Sequence, residues 1–358
     1  MDLEEKVSLV LRDVEEVITE SELRELLSTG GGKGYLGYEP SGIFHAGWFV
    51  WAFKFKELIE AGLDMYLLAA TWHAWVNDKL GGDMELIRFA ADHVVEVLNA
   101  LGMEGRFKLV YAEDLIHQDE YPELLLRSAK VTTLARLRRA LTIMGRKADE
   151  AESDFSKLIY PLMQVTDIFM LDLDLALGGM DQRRAHVLQR ETAEKLGKKK
   201  VVALHTPLIP SLKGVGRMDI GKSKDEMLAE AKMSKSRPET TIFVIDSDNE
   251  IRDKIRKAYC PPKVVEDNPV LSLAKHLIFR DMEVEFTIDR PAKFGGPLTV
   301  WKYEELEKIY REGSLHPLDL KNAVANYLIE LVTPIRQKLL SSRKSVETIE
   351  EIMKSISR

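Results

Sequence analysis

The chain has 358 residues, about twice the length of a typical domain, so two domains are expected; 45% hydrophobic and 30% charged residues give enough material for a sizeable core and exclude a disordered chain. A single cysteine, Cys260, excludes an internal disulfide or a cysteine zinc cluster, no run nears the roughly 20 apolar residues of a membrane span, and the start MDLEEKVSLVLRDVEE is acidic where a secretory signal is basic, so a cytoplasmic location is expected. Lys+Arg 51 against Asp+Glu 58 gives a net charge of −7, so a nucleic-acid partner has to be held by a local patch.

Val7, Val10, Leu11, Val14 and Val17 recur at helical spacing, and the opening stretch reads as one helix, with Ser21 as a capping signal beyond it and Gly30-Gly31-Gly32 as a turn. GYLGY (34–38) is a short apolar strand between Gly and Pro. A helix follows from about His45 to Ala61, striped by Trp48, Trp51, Phe55 and Leu58. The alternation continues with DMYLLAA (64–70), a helix over about 82–101, FKLVYA (107–112) and later VVALH (201–205). Strands alternating with helices indicate an α/β, Rossmann-like, doubly wound parallel sheet, whose ligands bind outside the carboxyl ends of the strands, here the loops after Tyr38, Ala70 and Ala112.

From Leu124 to Ala148 no residue is acidic, while Arg127, Lys130, Arg136, Arg138, Arg139, Arg146 and Lys147 are basic. Either a solvated helix face or a surface for a phosphate backbone fits, and the single sign of the charge favours the second. Beyond residue 237 the chain reads as helical, near 248–258, 268–278, 303–312 and from 317 onward, broken by CPP (260–262) and FGGP (294–297). This gives a second, all-α domain over 238–358, after a first domain over 1–237.

In GYEPSGIFHAGW (37–48), Gly37, Pro40, Ser41 and Gly42 lie between strand and helix, with His45 and Gly47 at the helix start. Glycines there let backbone N–H groups approach a phosphate, and the histidine can donate to it; the same residues also serve as ordinary turn formers. Further on, Lys232-Met233-Ser234-Lys235-Ser236 places two ammoniums and two hydroxyls in one polar stretch, suited to neutralising a departing pyrophosphate. Tyr160, Gln164 and Asp167 stand at i, i+4 and i+7, a polar row on a helix otherwise rich in Leu158, Ile159, Leu162, Met163, Ile168 and Phe169, which reads as a ligand site more readily than as a solvent face. No Cys–His or Ser–His nucleophile pair is evident.

HAGW (45–48) and KMSKS (232–236) resemble the two signatures of class I aminoacyl-tRNA synthetases. GYEPSG (37–42), IYPLMQVTDI (159–168), GGMDQR (178–183), AYCPP (258–262), KFGG (293–296) and HPLDLKNAV (316–324) narrow the resemblance to the tyrosyl-tRNA synthetases of the archaeal/eukaryotic type. The resemblance implies a cytoplasmic homodimer that uses ATP with Mg²⁺, L-tyrosine and tRNA(Tyr), without a structural metal. It also implies a helical segment at about 113–160 serving the tRNA acceptor end and the dimer, and an anticodon-binding role for 238–358. By likeness, Asp167 and Tyr35 hydrogen-bond the substrate phenol, while Tyr160, Gln164 and Gln182 hold its ammonium and carboxylate. Gly37, Glu39, His45, Gly47, Trp48, Lys232, Ser234, Lys235 and Ser236 serve ATP, with His45, Lys232, Ser234 and Lys235 catalytic. Arg139, Arg183 and Arg184 correspond to positions at the acceptor end, and Phe294 and Asp319 to those reading the first anticodon base. From the residues alone, Phe294 equally suits a turn anchor and Asp319 a cap for a helix over 320–331.

One departure is Trp48, where the signature has its second histidine: it is either a core aromatic or a group over the ATP sugar or base, and His73 in TWHAWVN (71–77) is a candidate for the missing imidazole. The stretch 214–231 is longer than expected before KMSKS, and Met227, Leu228 and Ala231 give it one apolar side. Two rivals share features with this reading: a tryptophanyl-tRNA synthetase, and a non-catalytic paralogue that binds tyrosine or RNA.

Overall fold

Alternating apolar strands and helices close into one sheet, seen in a computed structural model that describes residues 1–144, 154–214, 232–235, 237–280 and 284–356. Its strands are β1 (Glu16–Ile18), β2 (Lys33–Tyr38), β3 (Asp64–Ala69), β4 (Lys108–Tyr111), β5 (Leu175–Gly179) and β6 (Val202–Thr206), in the order β1-β6-β5-β2-β3-β4. All neighbours are parallel except β1, which runs antiparallel to β6 with Glu16 opposite His205. β6 is buried along its whole length and β5 along all but its last residue, as befits strands covered on both faces. The chain order reverses between β2 and β5, so a crevice is expected beyond Tyr38 and Gly179.

The opening helix is shorter than its periodicity predicts. It spans Leu3–Leu11, capped reciprocally by Asp2 and Glu5, and stops because Asp13 takes a left-handed φ of +50° and turns the chain. Val14 is thereby outside the helix and Val17 on β1. The next helix, Glu20–Ser28, is capped by Thr19 with Glu22, not by Ser21. The expected helix from His45 divides into a 3₁₀ turn, Ala46–Trp48, and the helix Phe49–Glu60.

By contact density the chain forms two units, one of Met1–Gly42, Trp51–Pro207 and Arg343–Arg358, the other of Ile43–Val50 and Leu208–Ser342. This division falls elsewhere than the sequence boundary at 237. The first unit contains the sheet and its helices, and its C-terminal helix Arg343–Ile356 packs on Met84–Leu98. In the second, Asp248–Lys257 packs on Pro317–Ser341 through buried Ile251, Ile255, Val324 and Leu328. An antiparallel ribbon, Phe286–Ile288 with Leu298–Val300, lies among these helices, a pairing the helical reading did not include. Cys260 is buried beside the Tyr310 hydroxyl at 3.1 Å. No described helix is long and apolar enough to cross a membrane. Most of 214–231, including Met227, Leu228 and Ala231, lies outside the described residues, as do Arg146, Lys147 and Ser236.

Candidate active site

In the first unit, the helix Phe155–Met170 starts at its cap Asp154 and buries Tyr160 and Asp167, so the polar row predicted from spacing faces inward. Tyr35, on β2, is fully buried in a cluster with Leu68, Leu115, Tyr121, Ile168 and Ala176. Gly37, two residues along β2, gives the Tyr35 ring its space: a Cβ there would stand 3.1 Å from it.

Tyr121 donates its hydroxyl to Asp167 Oδ1 at 2.9 Å, and His73 Nε2 stands 3.3 Å from Asp167 Oδ2. Burial pushes the Asp167 carboxyl up to about 8, only partly offset by the Tyr121 donor, and burial lowers His73 to about 3, so that imidazole is neutral. The Tyr35 hydroxyl, Asp167 Oδ2 and both His73 nitrogens are buried without a partner of full hydrogen-bond geometry. The Gln164 amide lies near enough to Tyr35 to offset part of the upward shift that burial imposes on its hydroxyl. Buried polar groups left unpaired are costly, so this cluster is built to receive a polar ligand atom. His73, a candidate for the missing signature imidazole, is thus placed against Asp167 and edge-on to Tyr160, ring centroids 5.0 Å apart.

Glu39 gathers the next set of groups. Its Oε1 accepts from Asn77 Nδ2 at 2.7 Å and from the Tyr160 hydroxyl at 3.2 Å, and Lys79 Nζ is 3.4 Å from Oε2. Glu39 is therefore linked directly to a residue of the expected tyrosine set. Gln182 Nε2 donates to the Ile143 carbonyl at 3.2 Å. Sequence reasoning missed Tyr121, Asn77 and Lys79; of these only Asn77 lay in a string already singled out, TWHAWVN.

In the second unit, the segment 241–244 meets both signatures, the first through backbone pairing and the second through the Thr241 hydroxyl, while Ile209 pairs with the second. Ala46 N–H donates to Ile242 O at 2.8 Å, Val244 N–H to Phe44 O at 3.1 Å, and Met233 N–H to Ile209 O at 2.7 Å, while the Thr241 hydroxyl donates to Ser234 O at 2.7 Å. His45 is buried, and burial together with Lys235 and Lys232 holds its pKa well below the ordinary value. Its neutral imidazole can donate to a phosphate oxygen. Gly47 leaves room here, because a Cβ would meet the His45 ring at 3.2 Å and Met233 Cβ at 3.4 Å, closer than most such contacts. Trp48 is half-buried, off the buried stripe of Trp51, Phe55 and Leu58, with Lys235 Nζ 3.6 Å from its ring centroid.

Of the expected RNA contacts, Arg183 Nε donates to both Glu16 oxygens, at 2.9 and 2.8 Å, and Glu16 also holds His205 Nδ1 at 2.9 Å. Arg184 Nη1 donates to Arg139 O at 3.0 Å and to the Thr142 hydroxyl at 3.1 Å, and Arg139 is itself exposed. Phe294 is 61% exposed, more than a turn anchor needs, with Lys293 Nζ 4.9 Å from its ring. Asp319 lies in the first turn of Pro317–Ser341, and the cap that sequence allowed it is His316, whose Nδ1 accepts from Leu318 N–H.

The family model for class I tRNA synthetases (W and Y) matches residues 32–333. The tyrosine–tRNA ligase of Aeropyrum pernix is 56% identical over 361 residues, covering 100% of this chain and 99% of that protein. The crystal structure of tyrosyl-tRNA synthetase from the same organism is 51% identical with a TM-score of 0.87, over 99% of this chain and 100% of that one. That of Pyrococcus horikoshii, complexed with L-tyrosine, is 41% identical with a TM-score of 0.89, over 98% and 100%. The chain belongs to the class I tRNA synthetases of the tryptophan and tyrosine type. Within them, its full-length relatives at 50–56% identity are tyrosine–tRNA ligases.

Proposed function

We infer that the chain is a tyrosine–tRNA ligase, which activates L-tyrosine with ATP and transfers the tyrosyl group to the 3′-terminal adenosine of tRNA(Tyr). The observation that carries the choice of amino acid is the pair of buried atoms without a partner of full hydrogen-bond geometry, Tyr35 hydroxyl and Asp167 Oδ2. A phenol donating to Asp167 and accepting from Tyr35 completes both, and phenylalanine completes neither. Full-length identity of 50–56% to tyrosine–tRNA ligases disfavours the tryptophanyl alternative.

Tyr160, Gln164 and Gln182 hold the ammonium and carboxylate, with Glu39 steadying Tyr160. The tyrosine carboxylate attacks the α-phosphorus of ATP; the new P–O bond forms as the bond to the bridging oxygen breaks, and pyrophosphate leaves. His45, Lys232, Ser234 and Lys235 stabilise the charge growing on the phosphates, with Gly47 beside His45; Ser236 is included by resemblance alone. A ribose hydroxyl of the terminal adenosine then attacks the adenylate carbonyl and AMP departs. No protein nucleophile is needed; orientation and electrostatics supply the rate. Mg²⁺ would come with the ATP phosphates and help neutralise their charge.

The proposal extends to tRNA reading by Arg139, Arg183, Arg184, Phe294 and Asp319, to an anticodon-binding role for 238–358, and to a cytoplasmic homodimer. Leu126, Leu134 and Phe155, exposed in or beside the expected dimer segment, are apolar enough to support the last. Amino-acid-dependent ATP–pyrophosphate exchange without tRNA tests the core of it. Exchange with tyrosine alone is expected; exchange with tryptophan moves the assignment to the sister enzyme, and none with either favours a non-catalytic binder.

A further inference from the structure

Trp48 stands where the first signature has its second histidine, and the face of its indole lies under the last lysine of the second signature. Lys235 Nζ is 3.6 Å from the ring centroid. Phe44 meets the indole edge-on at 5.4 Å and 86°, and the His45 ring lies tilted at 5.2 Å, so the ring is held from its own side of the site. Lys235 is only 9% exposed. We propose that Trp48 is a positioning residue for Lys235, its ring face holding the ammonium beside His45 in the resting protein and yielding it to the phosphates of bound ATP. This rests on the ATP-dependent ligase reading above.

An ammonium withdrawn from water needs compensation. The indole face at 3.6 Å supplies part of it. A histidine at position 48 presents N–H donors or, when protonated, a like charge. The indole face attracts a cation through its quadrupole while carrying no charge, and tryptophan does so best among the aromatics. A charge-assisted bond to phosphate is stronger, so arrival of ATP draws Lys235 off the ring. Ring and lysine belong to the same unit, where pairing of His45 with Phe243 and of Lys232 with Pro210 fixes their backbones.

The test is a double-mutant cycle on the full chain in tyrosine-dependent ATP–pyrophosphate exchange, using Trp48→Leu, Lys235→Ala and the pair. Trp48→Leu keeps apolar bulk and loses the π face; it is expected to lower kcat about 10-fold with the KM for tyrosine within about 2-fold, and Trp48→Phe is expected to recover much of the loss. In the Lys235→Ala background, Trp48→Leu should cost less than about 2-fold. Losses that multiply in the double variant, or a Trp48→Leu protein as fast as the parent, overturn the proposal. If the parent shows no exchange at all, the ligase reading fails instead, and tryptophan emission decides the role of the ring. Inorganic pyrophosphate should then change the emission of the parent and not of Trp48→Phe; a parent that binds pyrophosphate with no change in emission overturns it.

Discussion

The Tyr121 hydroxyl donates to Asp167 Oδ1 at 2.9 Å, which fixes the carboxyl from one side and leaves Oδ2 facing His73 Nε2 at 3.3 Å. Two helices, Glu120–Val131 and Phe155–Met170, are thereby joined at the group proposed to select the amino acid. Replacing Tyr121 by Phe leaves Oδ1 buried without its donor, a loss of about 1–3 kcal/mol. The KM for tyrosine is expected to rise roughly 5- to 10-fold in pyrophosphate exchange, with kcat less affected and the melting temperature lower by about 3–6 °C.

Asp167 makes stability depend on pH in a direction opposite to that of a paired surface carboxylate. Its folded pKa of about 8 lies above the ordinary 3.8, so the unfolded chain ionises first as pH rises. The stability it contributes is full below about pH 4, falls as pH climbs, and stops falling near pH 8, where the folded carboxyl ionises too. Asp167→Asn cannot titrate and can still accept from Tyr121. Thermal melts are expected to show the variant equal to the parent near pH 4 and more stable by about 5 °C near pH 8. A gap that stays constant across this range contradicts the assignment.

Gly47→Ala probes the phosphate end. The added methyl meets the His45 ring at 3.2 Å and Met233 Cβ at 3.4 Å, so one of them has to shift by a few tenths of an ångström. Displacing the imidazole from a developing charge is expected to lower kcat/KM for ATP roughly 10-fold. Equilibrium binding of tyrosine should stay within about 2-fold of the parent, since a small local shift costs little elsewhere.

Glu16→Gln separates RNA handling from activation. Glu16 holds Arg183 Nε through both oxygens and His205 Nδ1 through one, so its neutral isostere frees the guanidinium from a charged partner. Aminoacylation kcat/KM for tRNA is expected to fall about 3- to 10-fold, with tRNA-free exchange nearly unchanged. Equal losses in both assays would place Arg183 outside tRNA recognition.

Tyrosine discrimination against phenylalanine is the direct readout of the Tyr35–Asp167 pair. Sites that hydrogen-bond a substrate hydroxyl reject the analogue lacking it by roughly 10⁴- to 10⁵-fold, a scale whose reference case is a tyrosyl-tRNA synthetase. Asp167→Asn is expected to reduce that ratio by at least about 10-fold, measured as the quotient of the two kcat/KM values.

Much of this was legible before any coordinates. β2, β3, β4 and β6 were read from short apolar runs set between turn residues, and in the i, i+4, i+7 row Tyr160 and Asp167 are buried and Gln164 half-buried. β5 was missed because Leu175–Gly179 closely follows a long apolar helix, and a fully buried strand carries no alternation to separate it from that helix. β1 was absorbed into the opening helix because Val14 and Val17 continue its period, and only the left-handed turn at Asp13 breaks it. Tyr121 could not be found by spacing: it lies 46 residues from Asp167, and only tertiary packing brings them together. Asn77, at the end of the helix Thr71–Val76, and Lys79, at the start of the next 3₁₀ turn, converge on Glu39 in the same way, through tertiary packing that spacing does not reveal.

The division of labour along the chain bears on how specificity can change over time. Tyr35, His73, Tyr121 and Asp167, the groups proposed to meet the amino-acid side chain, all belong to one compact unit, as do Gly37 and Glu39, while His45, Trp48, Lys232 and Lys235, proposed to meet the phosphates, belong to the other. On the proposed roles, choice of monomer and handling of the phosphates are written in largely separate sets of codons. A lineage, or a mutagenesis library, can vary a handful of positions on β2 and two or three helices to accept a new side chain, without rewriting the backbone pairings that hold the phosphate machinery.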